Sequence, residues 1–186
     1  LVELADTHEN GLAEMLEGTL EQAMAAGYVE DATVGLNMAQ RQAFWKIREG
    51  ISQAQVRAGK AIKHDIALPI SKLPGFVADA DAAVKKVKPD ACIINFGHMG
   101  DGNLHFNVLM PLDTPASEMS QAVGKLNRVV HDLVHEANGS ISAEHGVGQL
   151  RRDELRNYKS SVELDLMMQL KQSIDPNQIM NPGKLL

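Results

Sequence analysis

The sequence predicts an α+β fold in which an antiparallel sheet carries helices on one face, in a ferredoxin-like arrangement followed by C-terminal helices. Two observations predict it. Strand-like and helix-like segments alternate along the chain, and two strands are joined as a hairpin rather than through a helix. With 186 residues, 44% of them hydrophobic, the chain is long enough for a single domain with a substantial core.

Apolar residues recurring at helical spacing predict the helices. The first ends at Gly27 and the second ends near Gly59, because glycine commonly follows the last turn of a helix. The helices are predicted at about 8–27, 38–58, 71–87, 115–137, 147–157 and 161–173.

Strands are predicted where apolar and polar residues alternate or where a short apolar run is bounded by turn residues. The opening run 1–4 is also strand-like and lacks an initiator methionine, so we expect the chain to be a piece of a longer polypeptide. The predicted strands are about 32–36, 61–68, 91–98, 103–110 and a short one at 139–144.

Composition excludes some classes of partner. A formal net charge of −6 gives no electrostatic footprint for nucleic acid or an anionic membrane. No stretch approaches the roughly 20 apolar residues of a transmembrane span. The single cysteine, Cys92, has no partner for an internal disulfide, which fits a reducing, cytoplasmic compartment.

The hairpin carries two histidines. If Asp101 and Gly102 are the central residues of a two-residue turn, His98 lies directly opposite His105. Opposed side chains share a face of the sheet with Cβ atoms roughly 5 Å apart, close enough for both imidazoles to bind one metal ion. The same register pairs residue 96 with Asn107, beside the candidate site.

A carboxylate and a third histidine follow downstream. Glu144 and His145 lie in a glycine-containing segment that permits a tight turn, so both side chains can point into one cleft. Two histidines and one carboxylate form an open ligand set, suited to zinc or to non-haem iron, and His145 could instead accept a proton. The alternatives to metal binding are structural: the histidines could form only hydrogen bonds within the fold, and Glu144 could cap the helix that follows it.

Other residues suggest further contacts. His131 and His135 share a helix face at the spacing of a zinc protease motif, but Asp132 replaces the glutamate that the motif requires, so we expect a solvated stripe there. Arg48 and Ser52 also share a helix face, where they could grip a carboxylate, and Lys63 is another possible anion contact.

Four ordered blocks of the sequence carry a family resemblance. They are WKIREGI at 45–51, FGHMGDGNLHFN at 96–107, ISAEHGVG at 141–148 and IDPNQIMNPGK at 174–184. They closely resemble the C-terminal domain of FAD-linked oxidases, and they cover nearly the whole chain in the order and spacing of that family. This group includes D-2-hydroxyglutarate dehydrogenase, D-lactate dehydrogenase and the glycolate oxidase FAD subunit.

The resemblance implies that the whole chain, 1–186, is the substrate-side cap of an FAD-dependent enzyme that oxidises a D-2-hydroxy acid. It implies that FAD is bound mainly by an N-terminal domain outside this chain, and that a separate electron acceptor is used. The implied zinc ligands are His98, His105 and Glu144, with His145 as general base. The implied substrate contacts are Arg48, Ser52, Lys63 and Asn107.

The terminal segment of the family returns to the flavin domain, which points to Asn181 and Lys184 as candidate cofactor contacts. A homodimer is left open. Two other readings of the residues also stay open: a stand-alone metalloenzyme built on the two-histidine, one-carboxylate set, and a non-catalytic ferredoxin-like binding module.

Overall fold

The computed structural model describes residues 1–7, 11–98 and 100–186, which divide into the units Leu1–Ala54 and Gln55–Leu186. The first unit contains α1, Leu12–Ala25, and most of α2, Met38–Ala58. The predicted start of the first helix, at residue 8, lies outside the described residues. Residues 1–4, all described, form no strand.

The strand predicted at 32–36 is wrong, because the backbone there leads into the cap of α2. The side-chain oxygen of Asn37 accepts the N–H of Gln40 at 3.0 Å, and the Gln40 side chain accepts the N–H of Leu36 at 2.8 Å. These contacts satisfy the N–H groups locally, as a helix N-terminus requires, so the segment is not used for sheet pairing.

The second unit is built on a three-stranded antiparallel sheet, which confirms the α+β prediction. The strands are β1, Lys60–Ala67, β2, Cys92–His98, and β3, Asn103–Met110, in the order β1-β3-β2. A short 3₁₀ turn at Ile70–Lys72 and then α3, Leu73–Val87, connect β1 to β2, and α4, Ala116–Glu136, follows β3.

The fourth strand of a ferredoxin-like sheet is reduced to one bridge. The chain returns after α4 to the outer edge of β1, where Ser140 pairs antiparallel with Ala67. The strand predicted at 139–144 is therefore wrong beyond this bridge. The backbone N–H groups of residues 143–145 instead bind acceptors on Asp65.

The core lies between one face of the sheet and helices α3 and α4. Alternate residues of each strand point toward the helices, whose apolar faces cover them. The buried side chains here are Ile62, Ile66, Phe76, Ala80, Val84, Leu104, Phe106, Val108, Leu126, Val130 and Val134.

Two histidines are part of this core rather than of the surface. His64 and His131 are both 0% exposed, so the expected solvated stripe through His131 is wrong. The ring nitrogens of His64 lie 2.9 Å from the Phe106 carbonyl oxygen and 3.0 Å from Asn127 Oδ1, and burial lowers the pKa of His64 to about 4. The His131 Nδ1 lies 3.2 Å from Glu154, whereas His135 is exposed.

Two helices complete the chain: α5, Arg152–Tyr158, and α6, Ser161–Ile174. The first begins later than the predicted residue 147, because Gly146 and Gly148 adopt positive φ angles of 74° and 62°, which are incompatible with a right-handed helix. None of the helices in the described part of the chain is long and apolar enough to cross a membrane.

Candidate metal and substrate site

The β2–β3 hairpin places two predicted ligands on one face, although in a different register from the predicted one. His98 pairs with Asn103, and Phe96 pairs with His105, so the predicted pairing of 98 with 105 is wrong by two residues. A shift of two residues preserves the side-chain alternation, and His98 and His105 therefore remain on the same face as diagonal neighbours. Asn107 also lies on this face, opposite Ile94.

The turn explains the shifted register. A two-residue type I′ turn needs positive φ at both central residues. Of Asp101 and Gly102 only Gly102 has one, 77°. The Asp101 carboxylate accepts the N–H of Asn103 at 2.9 Å, so the side chain of Asp101 holds the turn that leads into β3.

The face of the sheet that points away from the core is mainly polar at the end nearest the hairpin turn. In β1, Asp65 lies opposite His105 and Lys63 lies opposite Asn107. Strand alternation therefore gathers these side chains on one surface, which we call the polar face. Its members are Lys63, Asp65, Phe96, His98, Asn103, His105 and Asn107.

The segment 140–151, which we call the edge loop, lies along the outer edge of β1. Three alternate carbonyl oxygens of that strand accept hydrogen bonds from it: Ala67 from the N–H of Ser140 at 2.8 Å, Asp65 from the N–H of Ala143 at 3.1 Å, and Lys63 from the Arg151 guanidinium at 2.8 Å. These bonds carry Glu144 and His145 to the polar face.

Asp65 holds the edge loop through its side chain as well. Its Oδ2 accepts the N–H groups of Glu144 at 2.9 Å and His145 at 2.8 Å, and its Oδ1 accepts the side-chain amide of Asn103 at 3.2 Å. Burial raises the pKa of this carboxyl, but the backbone donors of His145 and Glu144 outweigh that effect and hold the pKa below its ordinary value. Asp65 is therefore an ionised, buried carboxylate at neutral pH.

Sequence reasoning missed Asp65. The sequence does contain a signal for it, because Asp65 is an acidic residue within the predicted strand. It lies on the same face as Lys63 and on the opposite face from the buried Ile62 and Ile66. A carboxylate inside a strand interior is rarely buried without partners.

Glu144 lies between the two histidines of the hairpin. Its Oε1 is 3.9 Å from His98 Nδ1, and its Oε2 is 4.0 Å from His105 Nε2. Zinc bonds of about 2.0–2.1 Å in a tetrahedral site place ligand atoms about 3.3 Å apart, so each of these two pairs is about 0.6–0.7 Å too widely spaced. The donor types suit a divalent metal, and binding one would require these side chains to move closer together.

A second set of possible metal-ligating side chains has more closely spaced donor atoms. Asp65, His105 and Glu144 each offer a ligand atom within 4.8 Å of the others, and His98 is outside this group. His98 Nδ1 lies 3.3 Å from Asp101 Oδ2. Two carboxylates, those of Asp65 and Glu144, therefore lie beside His105 as candidate partners in a metal site.

His145 has the most exposed side chain of the four candidate site residues His98, His105, Glu144 and His145. Its side chain is 66% exposed, and its Nδ1 lies 3.4 Å from Asp65 Oδ2. Its ring centroid is 5.9 Å from that of His105. His145 is thus adjacent to the candidate metal ligands and accessible to a small molecule.

The predicted substrate contacts fall in two places. Lys63 is exposed, and Asn107 is buried with its amide donating to Gln55 Oε1 at 2.8 Å. Arg48 and Ser52 lie one turn apart on α2, within the first unit. Their contact with substrate stays a prediction.

The predicted cofactor contacts line a cavity of about 550 Å³ near the C-terminus. Asn181 and Lys184 border it together with Gly146 and Gly148 of the edge loop. Lys184 Nζ donates to Gln149 Oε1 at 3.3 Å. The cavity brings the terminal segment beside the loop that carries His145, and its volume lies in the range of small-ligand sites.

Comparison with known proteins gives the chain its relatives. A D-2-hydroxyglutarate dehydrogenase of Stutzerimonas stutzeri (strain A1501) is 40% identical over 173 residues, which are 93% of this chain and 37% of that protein. The mitochondrial D-2-hydroxyglutarate dehydrogenase of Bos taurus is 37% identical over 187 residues, covering 100% of this chain and 33% of the relative. A probable mitochondrial D-2-hydroxyglutarate dehydrogenase of Oryza sativa subsp. indica is 36% identical, covering 100% of this chain and 32% of the relative.

The chain thus spans about a third of the length of these relatives. The family model described as FAD linked oxidases, C-terminal domain, matches residues 1–185. This match covers the three strands that form the polar face and the edge loop that brings Glu144 and His145 to it. The chain belongs to the FAD-linked oxidase family and corresponds to its C-terminal domain.

Proposed function

We propose that this chain is the substrate- and metal-binding cap of an FAD-dependent dehydrogenase that oxidises a D-2-hydroxy acid to the 2-keto acid. The observation that carries the proposal is the assembly of His105, Glu144 and His145 on one open polar face, in a chain whose family model matches residues 1–185. In this proposal FAD is bound mainly by a domain outside the chain, and a separate electron acceptor reoxidises it.

The proposed metal ligands are His98, His105 and Glu144. The two carboxylate oxygens of Glu144 face different histidines, at 3.9 and 4.0 Å, so one residue can bring both rings to a common ion. A zinc or similar ion bound there would act as a Lewis acid that lowers the pKa of the substrate hydroxyl. The polar face is exposed enough at Glu144, 49% for its side chain, for a substrate to reach it.

His145 is the proposed general base. Its Nδ1 faces Asp65, which leaves Nε2 to accept the proton of the substrate 2-hydroxyl. FAD would supply the redox chemistry itself. Asn181 and Lys184, beside the cavity that also borders the edge loop, are the proposed contacts of this chain with the flavin.

Substrate binding is proposed for four residues. Lys63 supplies an exposed positive charge on the polar face that can bind a carboxylate. Asn107 lies opposite it in the sheet and has a second amide N–H besides the one that it donates to Gln55. Arg48 and Ser52 are proposed to bind substrate from α2, because a guanidinium and a hydroxyl one helical turn apart can bind one carboxylate.

Anaerobic flavin reduction tests this function. The longer protein, carrying its FAD-binding part and loaded with zinc, is mixed with the D and L forms of 2-hydroxyglutarate and lactate. We expect bleaching of the flavin absorbance with a D enantiomer, and loss of bleaching after removal of the metal by a chelator. No reduction by any D-2-hydroxy acid would overturn the proposal.

Experiments on the 186-residue chain alone separate the other two readings. A stand-alone metalloenzyme would transform its substrate without flavin, and a binding module would retain neither stoichiometric metal nor substrate. Elemental analysis and substrate titration of the 186-residue chain distinguish these outcomes.

A further inference from the structure

We infer that Asp65 is a positioning residue that directs the Nε2 atoms of both His105 and His145 away from itself, and that it is not a metal ligand. This inference deepens the proposed function and rests on the metal and base roles proposed there. Asp65 touches both histidines and the backbone that carries one of them, so a single carboxylate orients a ligand and a base together.

The hydrogen bonds of Asp65 leave little capacity for a metal. A carboxylate oxygen has two lone pairs. Oδ2 uses both on the N–H groups of Glu144 and His145, at 2.9 and 2.8 Å. Oδ1 accepts the Asn103 amide at 3.2 Å and faces His105 Nδ1 at 3.7 Å. Although its position in the closely spaced donor group suggests a ligand, three of the four lone pairs of the Asp65 carboxylate already accept N–H donors, and the fourth lies beside the His105 ring.

Exposure separates the two carboxylates further. The Asp65 side chain is 3% exposed, whereas that of Glu144 is 49% exposed. An ion reaching the polar face from solvent would meet Glu144 first, on the Nε2 side of His105. Asp65 lies behind the ring, on the Nδ1 side, which is where an outer partner of a metal-binding histidine stands.

The charge of Asp65 selects the tautomer of both rings. An ionised carboxylate only accepts hydrogen bonds, so a neutral imidazole next to it is more stable with the proton on the facing nitrogen. The facing atoms are His105 Nδ1 at 3.7 Å and His145 Nδ1 at 3.4 Å. These separations are longer than an ordinary hydrogen bond, so the interaction is between a charge and an N–H dipole. The lone pair is then left on Nε2 in each ring, where a metal or a substrate proton can be bound.

The loop-holding role of Asp65 differs from this orienting role. The N–H of Ala143 binds the main-chain oxygen of Asp65, and Ser140 pairs with Ala67, so the edge loop keeps these contacts whatever the side chain at position 65. In Asp65→Asn the remaining oxygen can still accept the N–H groups of Glu144 and His145. The variant therefore removes the charge while it preserves most of the anchoring.

Histidine tautomers provide the direct test. Nitrogen-15 NMR of the metal-free 186-residue chain, at a pH where the rings are neutral, should show His105 and His145 protonated on Nδ1. In Asp65→Asn, where an amide NH₂ can face the His105 ring, we expect its population to move toward the Nε2-protonated form. Asp153→Asn, a change of an 82% exposed carboxylate, is the matched control and should leave both tautomers unchanged.

Zinc affinity gives the second measurement. Competition with a chromophoric chelator should show about 10- to 100-fold weaker zinc binding by Asp65→Asn, the loss typical of an outer partner, with one zinc still bound at saturation. Loss of stoichiometric zinc in this variant, with an intact fold by circular dichroism, would make Asp65 a ligand and overturn the inference. A second outcome would also overturn the inference: in the unaltered chain, either His105 or His145 carries its proton on Nε2. This measurement does not depend on whether the Asp65→Asn variant folds.

These results are separate from a failure of the proposed function. If the unaltered chain binds no zinc, the metal role proposed above is wrong, and the tautomers of His105 and His145 still decide whether Asp65 orients them.

Discussion

Phe96 and His105 stand directly opposite each other in the β2–β3 pair, and their rings lie 4.8 Å apart between centroids at an interplanar angle of 30°. The phenyl ring thereby restricts the rotation of a proposed metal ligand. On its other side the His105 ring is limited by Asp65, whose Oδ1 lies 3.7 Å from Nδ1. The orientation of this ligand thus depends on a hydrophobic contact as well as on charge.

Truncation of Phe96 should weaken metal binding. Aromatic pairs contribute about 0.5–1.5 kcal/mol beyond burial, so we expect Phe96→Leu to bind zinc up to about 10-fold more weakly, measured by chelator competition. Phe96→Tyr retains the ring and should remain close to the unaltered chain. Equal zinc affinity of Phe96→Leu and the unaltered chain would show that the ring contact does not contribute.

Substitution of the proposed ligands should have a larger effect. Glu144→Gln and His105→Ala should each reduce zinc affinity by more than the roughly 100-fold upper range of outer-partner changes, because they remove a donor atom from the ion itself. The measurement is zinc content after dialysis. His135→Ala, an exposed residue on α4, is the control and should keep full zinc content.

Loss of His145 should separate turnover from cofactor binding. General acid–base groups contribute about 10²- to 10⁴-fold, so His145→Ala in the flavin-containing protein should lower kcat by that order while FAD and zinc contents stay unchanged. Near-normal turnover in the variant would reject His145 as the base.

The buried His64 predicts a pH-dependent stability. Burial lowers its folded-state pKa from 6.5 to about 4, so the unfolded chain binds a proton in this range that the folded chain does not. Stability is therefore highest above about pH 6.5 and falls by roughly 3 kcal/mol as the pH decreases to about 4.

Urea unfolding at several pH values measures this effect. The pKa of buried His131 is also lowered, so it adds to the same loss in the same direction. His64→Gln cannot titrate and should show a shallower dependence between pH 6.5 and 4, and His135→Gln, at an exposed position, should retain the original slope. An unchanged slope in His64→Gln would contradict the assignment.

Glycines of the hairpin turn should respond very differently to alanine. A Cβ at Gly102 would lie 2.0 Å from the Leu68 carbonyl oxygen, and the residue has a positive φ, so Gly102→Ala requires backbone movement. A Cβ at Gly100 meets nothing within 4 Å. We expect Gly102→Ala to lower the free energy of unfolding by more than about 1 kcal/mol and Gly100→Ala to change it by less than about 0.5 kcal/mol, measured with urea. Similar values for the two variants would show that the turn relaxes easily.

Local patterns in the sequence predicted the long helix α2 and the strands of the hairpin. Helix α2 begins and ends at the predicted residues, Met38 and Ala58, and the strands β2 and β3 agree with the predicted hairpin within one residue. The bounds of these elements follow from the periodicity or alternation of apolar residues within each segment and from the turn residues next to it. The predicted register of the hairpin, with His98 opposite His105, was wrong because the register depends on the φ angle of Asp101. The hydrogen bond of the Asp101 side chain and the contact of Gly102 with Leu68 determine that angle.

The candidate site was predicted only in part for a similar reason. His98, His105 and Glu144 were predicted from their spacing and the family resemblance, and the structure brings Glu144 within 4.0 Å of both histidines. Asp65 was missed because its partners Glu144 and His145 are 79 and 80 residues away in sequence. No local pattern shows that the edge loop returns to this strand.

The edge loop also has a consequence for self-association. An exposed strand edge is a template for pairing with another chain, and proteins usually cover or interrupt it. Here the outer carbonyl oxygens of Lys63, Asp65 and Ala67 are all occupied by the edge loop. Substitutions that release this loop would therefore expose the edge of β1 to pairing with another chain. They would also move Glu144 and His145 away from the polar face, so aggregation and loss of the site should occur together.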